Sequence, residues 1–493
     1  MRKKTFILKV AQMSLSMIIL NLSGIAYSIF TSGFLPAHDI GLFHLIMNIF
    51  SVGVSLSVSG ISLTVTRLLS DMPGDKAMLC SGHILKKCMK ITLFTSSLAA
   101  TILFLCSDIL ASGFIKTYEC HRALKFLAPT LICVGISAPI NGYFIAFGKV
   151  WMHSLSKICA EVILWTVTLI INEKSVSYPA YMTLVIALSA SVAAETICAL
   201  LLWYKNRALV HSATDESKYS DIVRLCAPIA VGSYMRTGLT SAENLLVPIR
   251  LRYAGTADAL SLYGILKGMA MPVLMSANVF VLAFCTLIVP EIARRRSINH
   301  INSIRYISEI SIQCIFRFGF CVSVIFMIWH NEICMWFFSS HKACKYLEML
   351  SFLPILMFSD SITDSILKGL DQQNFSLKVN IIDSVIRVIL IYILIPLFNI
   401  EAYIFILYFS EIFNLTLSYM KLKKITALRF SFVKAVIFPL ISAVLACFFV
   451  SALPHMGAFS QIIFFVILYI IFNILTTRAV SAFRQEHSQG FLP

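Results

Sequence analysis

Four polar side chains stand inside a long apolar stretch, YMRTGLTSAENLLVPIRL at residues 234–251. They share one face of a helix with 3.6 residues per turn, and they are Arg236, Thr240, Glu243 and Asn244. A charge at mid-bilayer depth costs roughly 3 kcal/mol, so these side chains are expected to face protein or water. Because Arg236 and Glu243 are separated by about 10.5 Å of helix rise, each is expected to need a partner on another helix.

Further charged residues recur four positions apart, the spacing at which side chains on one helix meet. Asp360, Asp364 and Lys368 follow this spacing on one segment, and Asp383 with Arg387 follows it on the next. Such carboxylates either bind a coupling ion, H⁺ or Na⁺, or form ion pairs that fix helix register. The sequence leaves both interpretations open.

The candidates for ion coupling are Glu243, Asp364, Asp383 and Arg387. Burial raises the proton affinity of a carboxylate unless a cation compensates, so an ion bound among the three acids can bias a conformational equilibrium. In a simpler arrangement, Asp383 is permanently paired with Arg387 and only Glu243 is free. Asp364, Asp383 and Arg387 are also the candidate partners for the charges at 236 and 243.

A stripe of hydroxyl side chains follows the segment SVGVSLSVSGISLTVTR. Its members are Ser51, Ser55, Ser59, Ser62 and Thr66. Steps of three and four residues place them on one face of a single helix. The stripe indicates either close helix packing through small residues or the lining of a wet cavity, with equal weight.

The elements that must position these residues are transmembrane helices. The chain has 493 residues, 58% of them hydrophobic and 13% charged, which excludes an ordinary soluble protein. Runs of about 20 apolar residues cross a hydrocarbon core of ~30 Å. Fourteen such spans are predicted, at 6–34, 41–69, 91–115, 123–147, 155–171, 179–204, 223–249, 259–290, 302–329, 345–370, 377–397, 401–422, 430–452 and 459–478.

Lysine and arginine are concentrated in the segments that this count places on one side, which predicts that both termini are cytoplasmic. The net charge of +16 is explained by anionic lipid headgroups at that face, so no nucleic-acid partner is needed. The fourteen cysteines lie mostly in apolar runs without a CxxC pair, which is typical of small buried residues. No metal site, cofactor or catalytic motif is predicted, and the chain is not expected to be an enzyme.

The longest polar connection, KNRALVHSATDESKYSDIVR, follows the sixth span and predicts a division into lobes. The predicted domains are an N-lobe at 1–204, a cytoplasmic linker at 205–222, a C-lobe at 223–422 and an accessory pair of helices with a tail at 423–493. A repeat of six spans returns the chain to the same side, so the lobes are expected to form a parallel pseudo-repeat. The predicted fold class is therefore an all-α integral membrane protein with about fourteen transmembrane helices.

Several of these stretches resemble a known family. They are GLFHLIMNIFSVGVSLSVSGISLTVTRLLSD at 41–71, RTGLTSAENLLVPIRLRYAG at 236–255, LSLYGILKGMAMPVLM at 260–275 and LIVPEIA from residue 287. The resemblance covers most of the chain and is to the stage V sporulation protein B group of polysaccharide-biosynthesis membrane proteins. That group belongs to the multidrug/oligosaccharidyl-lipid/polysaccharide exporter superfamily, which includes MurJ-type lipid II flippases.

The resemblance implies two six-helix lobes plus two helices, and movement of a lipid-linked sugar across the bacterial cytoplasmic membrane, with a link to spore-cortex peptidoglycan. Arg67, Arg236, Glu243, Asn244 and Lys267 match positions of the family pattern. The first span departs from it, because Asn21 and Tyr27 stand where the family commonly carries arginines. The residues expected to bind substrate are Arg236, Asn244, Lys267, Arg67, Asn21, Ser55 and Ser59.

The expected function is therefore flipping of a lipid-linked oligosaccharide or peptidoglycan precursor by alternating access. A drug/cation antiporter of the same superfamily is one alternative, although such transporters typically stop at twelve spans. A non-transporting partner of cell-wall synthesis enzymes is another. An intramembrane transferase is disfavoured, since no large loop carries a candidate carboxylate or histidine.

Overall fold

The computed structural model describes residues 2–58, 60–70, 74–115, 120–173, 179–206, 219–256, 258–298, 300–338, 340–428, 433–452 and 457–489. Within these ranges every regular element is a helix, which confirms the predicted all-α class. The helices are α1 (Arg2–Phe34), α2 (Ala37–Val58), α3 (Ile61–Ser70), α4 (Gly74–Leu110), α5 (Cys120–Leu127), α6 (Thr130–Ala146), α7 (Val150–Glu173), α8 (Ala180–Asn206), α9 (Tyr219–Tyr253), α10 (Ala259–Gly264), α11 (Met271–Ser276), α12 (Asn278–Ser297), α13 (Ile301–Ile328), α14 (His330–Phe337), α15 (His341–Met349), α16 (Leu353–Gly369), α17 (Gln373–Thr426), α18 (Phe438–Ser451) and α19 (Ala458–Gln489).

Many of these helices are long and apolar enough to cross a membrane. Among the described residues there are 9 such spans, or 10 when α15 and α16, which meet at 54°, count as one. The chain therefore has the helices of a multi-pass membrane protein. The count of fourteen stays a prediction. One source of the difference is α17, which contains a non-helical residue at Asn399, where the sequence predicts two spans.

The predicted second span, 41–69, lies within one candidate membrane span, Ala37–Ser70, whose helix is interrupted near residue 60. Helix α2 ends at Val58, Gly60 has a positive φ of 78°, and α3 begins at Ile61. Glycine adopts this conformation without the steric penalty of a side chain. The last carbonyls of a helix lack intrahelical partners, and here the Thr95 hydroxyl donates to the Ser57 carbonyl at 2.7 Å. The segment that carries the predicted hydroxyl stripe is therefore divided between two helices, α2 and α3.

The segment 67–90, which the sequence places in a cytoplasmic loop, is largely helical. Helix α4 begins at Gly74 and runs through the predicted third span. A basic helix end can extend beyond the hydrocarbon region, because lysine side chains reach the headgroups while their backbone stays hydrogen-bonded. Hydropathy therefore detected the apolar part of this helix and missed its polar N-terminal extension.

Packing divides the chain into two compact units. Unit 1 comprises residues 1–268 and 384–403, and unit 2 comprises residues 269–383 and 404–493. The predicted lobe boundary falls at 205–222, of which residues 207–218 lie outside the described part of the chain. The four predicted domains therefore stay a prediction.

In unit 1, α2 packs directly against α10 through small residues. A Cβ added to Gly264 would collide with the carbonyl oxygen of Ala37, and one added to Gly41 would collide with that of Leu260. Close backbone approach of this kind is common between membrane helices. It fixes α2 beside the elements that follow α9.

In unit 2, α13 and α12 both pack against α16, again at glycines. A Cβ on Gly319 would lie 3.0 Å from the Cα of Ile355, and one on Gly369 would lie 2.8 Å from the Cβ of Ile292. The last two helices, α18 and α19, pack against each other. The Tyr469 hydroxyl on α19 donates to the carbonyl of Arg317 on α13 at 2.8 Å, which ties the predicted accessory pair to unit 2.

Candidate functional site

Unit 1 contains an open cavity of about 400 Å³ between α2 and α9. Its lining residues are Ser51, Val54, Ser55, Val58, Ser233, Arg236 and Thr237. Four of these side chains carry hydroxyl groups, which can donate and accept hydrogen bonds. The cavity therefore offers one cation and several hydroxyls to a polar ligand.

Arg236 is exposed to this cavity on α9. Its guanidinium has no hydrogen-bond or ion-pair partner within the part of the chain that the structure describes. Cations inside a membrane span are normally compensated by a carboxylate, a carbonyl or a ligand. A guanidinium presents paired donors that match two oxygens of a phosphate or carboxylate. The predicted substrate residue thus stands where an anionic group could reach it.

The residues of the predicted hydroxyl stripe have different surroundings on the two sides of the helix break. Ser51 and Ser55 line the cavity, and the Ser51 hydroxyl also donates to the Asn48 carbonyl at 2.7 Å. Beyond the break, the Thr66 hydroxyl donates to the Gly142 carbonyl at 3.1 Å, which is a packing contact. Ser59 lies outside the described residues.

A second polar group in unit 1 is centred on Asn48. The Asn244 amide donates to the Asn48 side-chain oxygen at 2.9 Å, and the Ser241 hydroxyl donates to its backbone carbonyl at 3.2 Å. The Tyr263 side chain also hydrogen-bonds Asn48. Sequence reasoning missed Asn48, although an asparagine in the apolar second span was an available signal. Asn244 is therefore held by α2 and positioned rather than free.

Glu243 forms a buried ion pair in unit 1. Its carboxylate lies 3.1 Å from Nη1 of Arg387, and only 3% of the Glu243 side chain is exposed. The Tyr403 hydroxyl donates to the same carboxylate at 3.4 Å. Arg387 was a predicted partner for this acid, and the pair confirms that contact. The arrangement that left Glu243 as the free carboxylate is wrong.

Lys267 lies in a short π-helical segment, Ile265–Ala270. Its ammonium is 5.5 Å from the centre of the Tyr403 ring, within range of a cation–π interaction. The Ser32 hydroxyl donates to the Gly268 carbonyl at 2.7 Å, which holds α1 against this segment. π-bulges occur frequently at functional sites, because they redirect side chains locally. Lys267 is half-buried beside the ion pair and does not line the cavity.

Two other predicted substrate residues lie away from the cavity lining. Arg67 is exposed on α3, and Asn21 is exposed on α1. Further along α1, the Tyr27 hydroxyl hydrogen-bonds that of Thr168 at 2.8 Å and its ring meets that of Trp165 edge-on. Tyr27, at a position where the family commonly carries an arginine, is thus an aromatic helix contact.

Unit 2 holds the remaining predicted acids. The Lys368 ammonium lies 2.6 Å from the Asp364 carboxylate, as the spacing on α16 predicted. The Ser410 hydroxyl donates to Asp383 at 2.9 Å, and Asp383 is 2% exposed. Asp360 lies near enough to both aspartates for their charges to interact. Three carboxylates thus lie near one another in unit 2. No group of three or more potential metal ligands was found among the described residues.

Comparisons with known proteins agree on the kind of molecule. No family model matches the chain. The stage V sporulation protein B of Bacillus subtilis (strain 168) is 18% identical over 407 residues, which cover 80% of this chain and 78% of that protein.

Two solved structures share the fold. The lipid II flippase MurJ in an inward closed conformation superposes with a TM-score of 0.75 at 12% identity, covering 95% of this chain and 99% of that one. An inward-facing multidrug resistance MATE family transporter of the MOP superfamily gives 0.66 at 14% identity, covering 85% and 99%. The chain therefore has the fold shared by these membrane transporters.

Proposed function

We propose that the protein flips a lipid-linked oligosaccharide or peptidoglycan precursor across the bacterial cytoplasmic membrane by alternating access. The observation that carries the proposal is the guanidinium of Arg236, which has no partner among the described residues and lies at an open, hydroxyl-lined cavity. Similarity over most of the chain to the stage V sporulation protein B, together with the fold of a lipid II flippase, supports it.

The cavity suits the head of such a substrate. A diphosphate supplies the negative charge that would pair with Arg236, which has no such partner in the described protein. The hydroxyls of Ser51, Ser55 and Ser233 can hydrogen-bond phosphate or sugar oxygens. Asn244 and Lys267 do not line this cavity and contribute by positioning its elements. Asn244 holds α2, and Lys267 holds the π-helical segment against Tyr403. Arg67, Asn21 and Ser59 would contact the substrate at other stages of transport.

A drug/cation antiporter is the second candidate, and the MATE-like fold favours it. The charge at position 236 opposes it, because a cationic drug would be repelled by a guanidinium that has no counter-charge in the described part of the chain. A non-transporting partner of cell-wall synthesis enzymes is the third. Flipping by the purified protein in vesicles separates the first proposal from the third.

We further propose that coupling to H⁺ or Na⁺ resides in unit 2. Glu243 is already compensated by Arg387, so its affinity for an added cation is reduced. Asp364 is paired with Lys368, Asp383 accepts a hydrogen bond from Ser410, and Asp360 lies near both of these acids. An ion can bias alternating access only through different affinities for the two states. These aspartates are the groups that could supply the difference.

Substitutions at Arg236 test the transport proposal. A charge-assisted hydrogen bond contributes about 1.5–3 kcal/mol, so Arg236→Ala is expected to lower the flipping rate at least about tenfold. Arg236→Lys should also impair flipping, since lysine lacks the paired donors. Rates are measured as the headgroup of a lipid-linked precursor becomes accessible to an added reagent in proteoliposomes.

Arg122→Ala is the matched control, because it removes an equal charge from an exposed side chain that does not line the cavity. It should flip at the parental rate. Depletion of the protein in cells should cause the substrate precursor to accumulate, which identifies it. Full transport by Arg236→Ala at normal membrane abundance would show that the assigned role is wrong.

A further inference from the structure

Two short helices of unit 2 form a hairpin between α13 and α16. Helix α14 spans His330–Phe337 and α15 spans His341–Met349, and the two pack against each other. The side chain of Ser340 accepts a hydrogen bond from the Ala343 amide and caps α15. In the predicted topology this hairpin follows the ninth span and lies outside the cytoplasm.

The outer surface of α14 fits that location. Met335, Trp336 and Phe337 expose 41%, 50% and 42% of their surface. Tryptophan and other aromatic residues are enriched where membrane meets water. The hairpin therefore resembles an interfacial cap at the end of α13, in a compartment where disulfides persist.

Cys334 and Cys344 face each other inside this hairpin. They are 0% and 2% exposed, and their side chains are in hydrogen-bond contact. The Cys344 thiol also donates to the Ser340 carbonyl at 3.2 Å. The two residues come from different helices, so the contact is made by packing rather than by helical spacing.

Metal binding does not account for the pair. His330 and Glu348 also belong to the hairpin, and the His330 ring lies 3.7 Å from the Glu348 carboxylate. Nevertheless, the described residues contain no group of three or more side chains placed to hold a metal ion. Two thiols in contact can instead bond covalently to each other when an oxidant reaches them.

We propose that Cys334 and Cys344 form a structural disulfide that closes the α14–α15 hairpin. One thiolate attacks an external disulfide, of a small molecule or of an extracytoplasmic oxidoreductase, and releases one of its thiols. The second thiolate then attacks the mixed disulfide and releases the other thiol. The two cysteines lose two electrons and two protons in total, and the external disulfide is reduced to two thiols.

The bond is structural rather than a reversible switch. Burial raises the pKa of the Cys334 thiol, and a protonated thiol is a poor nucleophile. Exchange is therefore slow once the hairpin has packed, and the bond forms while the outer segment is still open. It then resists reduction because neither sulfur is accessible.

The chain provides a matched control. The sulfurs of Cys159 and Cys198, on α7 and α8 of unit 1, are 3.7 Å apart. Both residues lie toward the ends of their helices that the topology places at the cytoplasm, which is reducing. If proximity of the sulfurs alone determined oxidation, both pairs would form disulfides. If the redox state of the compartment determines it, only the hairpin pair forms a disulfide.

The test is mass spectrometry of peptides from the full-length protein. Thiols are blocked with N-ethylmaleimide in intact cells before lysis, and again under denaturing conditions before digestion without reductant. The expected result is a linked peptide containing Cys334 and Cys344, lighter by two hydrogens than the sum of its parts, with Cys159 and Cys198 alkylated. Recovery of all four cysteines as alkylated thiols overturns the proposal, and so does linkage of both pairs.

Single substitutions provide a second measurement that does not depend on peptide recovery. In Cys334→Ser, the Cys344 thiol should become reactive toward maleimide after denaturation without reductant, whereas in the parent it should react only after reduction. Cys159→Ser should leave the reactivity of Cys198 unchanged, because the Cys198 thiol is expected not to be in a disulfide. An unchanged labelling pattern in Cys334→Ser contradicts the bond. These readouts do not require transport, so they stand apart from the proposed function.

Discussion

Removing Arg387 alone from the Glu243–Arg387 pair should destabilise the protein more than removing both partners. At 3.1 Å the two charges attract by about 5 kcal/mol with an effective dielectric constant of about 20, before desolvation is subtracted. The Glu243 side chain is 3% exposed and that of Arg387 is 21% exposed. A carboxylate stranded at Glu243 cannot be solvated, so Arg387→Met should lower the free energy of unfolding by about 3–5 kcal/mol.

The other members of the cycle have different expected values. Glu243→Gln leaves a guanidinium that is partly exposed and keeps an acceptor for the Tyr403 hydroxyl, so its cost should be smaller, about 1–3 kcal/mol. The double variant Glu243→Gln with Arg387→Met removes both charges of the pair, so neither is left buried without its partner. Its stability should lie within about 1 kcal/mol of that of Glu243→Gln alone.

The assay is unfolding of the purified protein by denaturing detergent, followed by far-UV circular dichroism. Arg236→Met is the matched control from the same helix as Glu243, because Arg236 is exposed and has no protein partner in the described chain. It should change stability by no more than about 0.5 kcal/mol. Additive effects of the two single substitutions, or a parental stability for Arg387→Met, would refute the reasoning.

Other outcomes are expected elsewhere in the chain. Asp364→Asn and Asp383→Asn should each weaken the dependence of flipping on an imposed H⁺ or Na⁺ gradient, and an unchanged dependence in both would contradict coupling by unit 2. Gly264→Ala should destabilise by about 1–3 kcal/mol, because its Cβ meets a carbonyl of α2, whereas Gly238→Ala meets nothing and should be neutral or slightly stabilising in thermal melts. A reporter fused at residue 455 should be active outside and one at the C-terminus inside, and the reverse result would invert the topology.

Features that depend on local spacing were predictable from the sequence. Helix α13, Ile301–Ile328, follows the predicted span 302–329, and Lys368 meets Asp364 as four-residue spacing requires. The contact of Glu243 with Arg387 was foreseen only as one choice among several, since hydropathy does not state which helices are neighbours. The features that depend on local spacing follow from the periodicity of apolar residues and from the thickness of the membrane.

Features that depend on packing were not predictable. Asn48 meets Asn244 across 196 residues of sequence, so no spacing rule relates them. Tyr403 reaches Glu243 in the same way. The presence of Gly60 in the sequence does not predict a helix break either, because glycine is frequent inside membrane helices. The break is evident only from the positive φ of Gly60 in the structure. Glu243 and Asn244 were predicted site residues, whereas Asn48 and Tyr403 became part of the polar group only through the fold.

The break between α2 and α3 leaves a carbonyl group that needs a hydrogen-bond donor from another helix. Side-chain substitution can remove a hydroxyl or a charge, but it cannot remove a peptide oxygen. The Ser57 carbonyl at the end of α2 stays an acceptor whatever side chains surround it, and Thr95 on α4 supplies its donor. In hydrocarbon, without water to replace that donor, an apolar residue at 95 would leave the oxygen unsatisfied. Gly60 permits the interruption of the helix, and a hydroxyl thirty-eight residues beyond Ser57 supplies the hydrogen bond that the Ser57 carbonyl needs in a lipid bilayer.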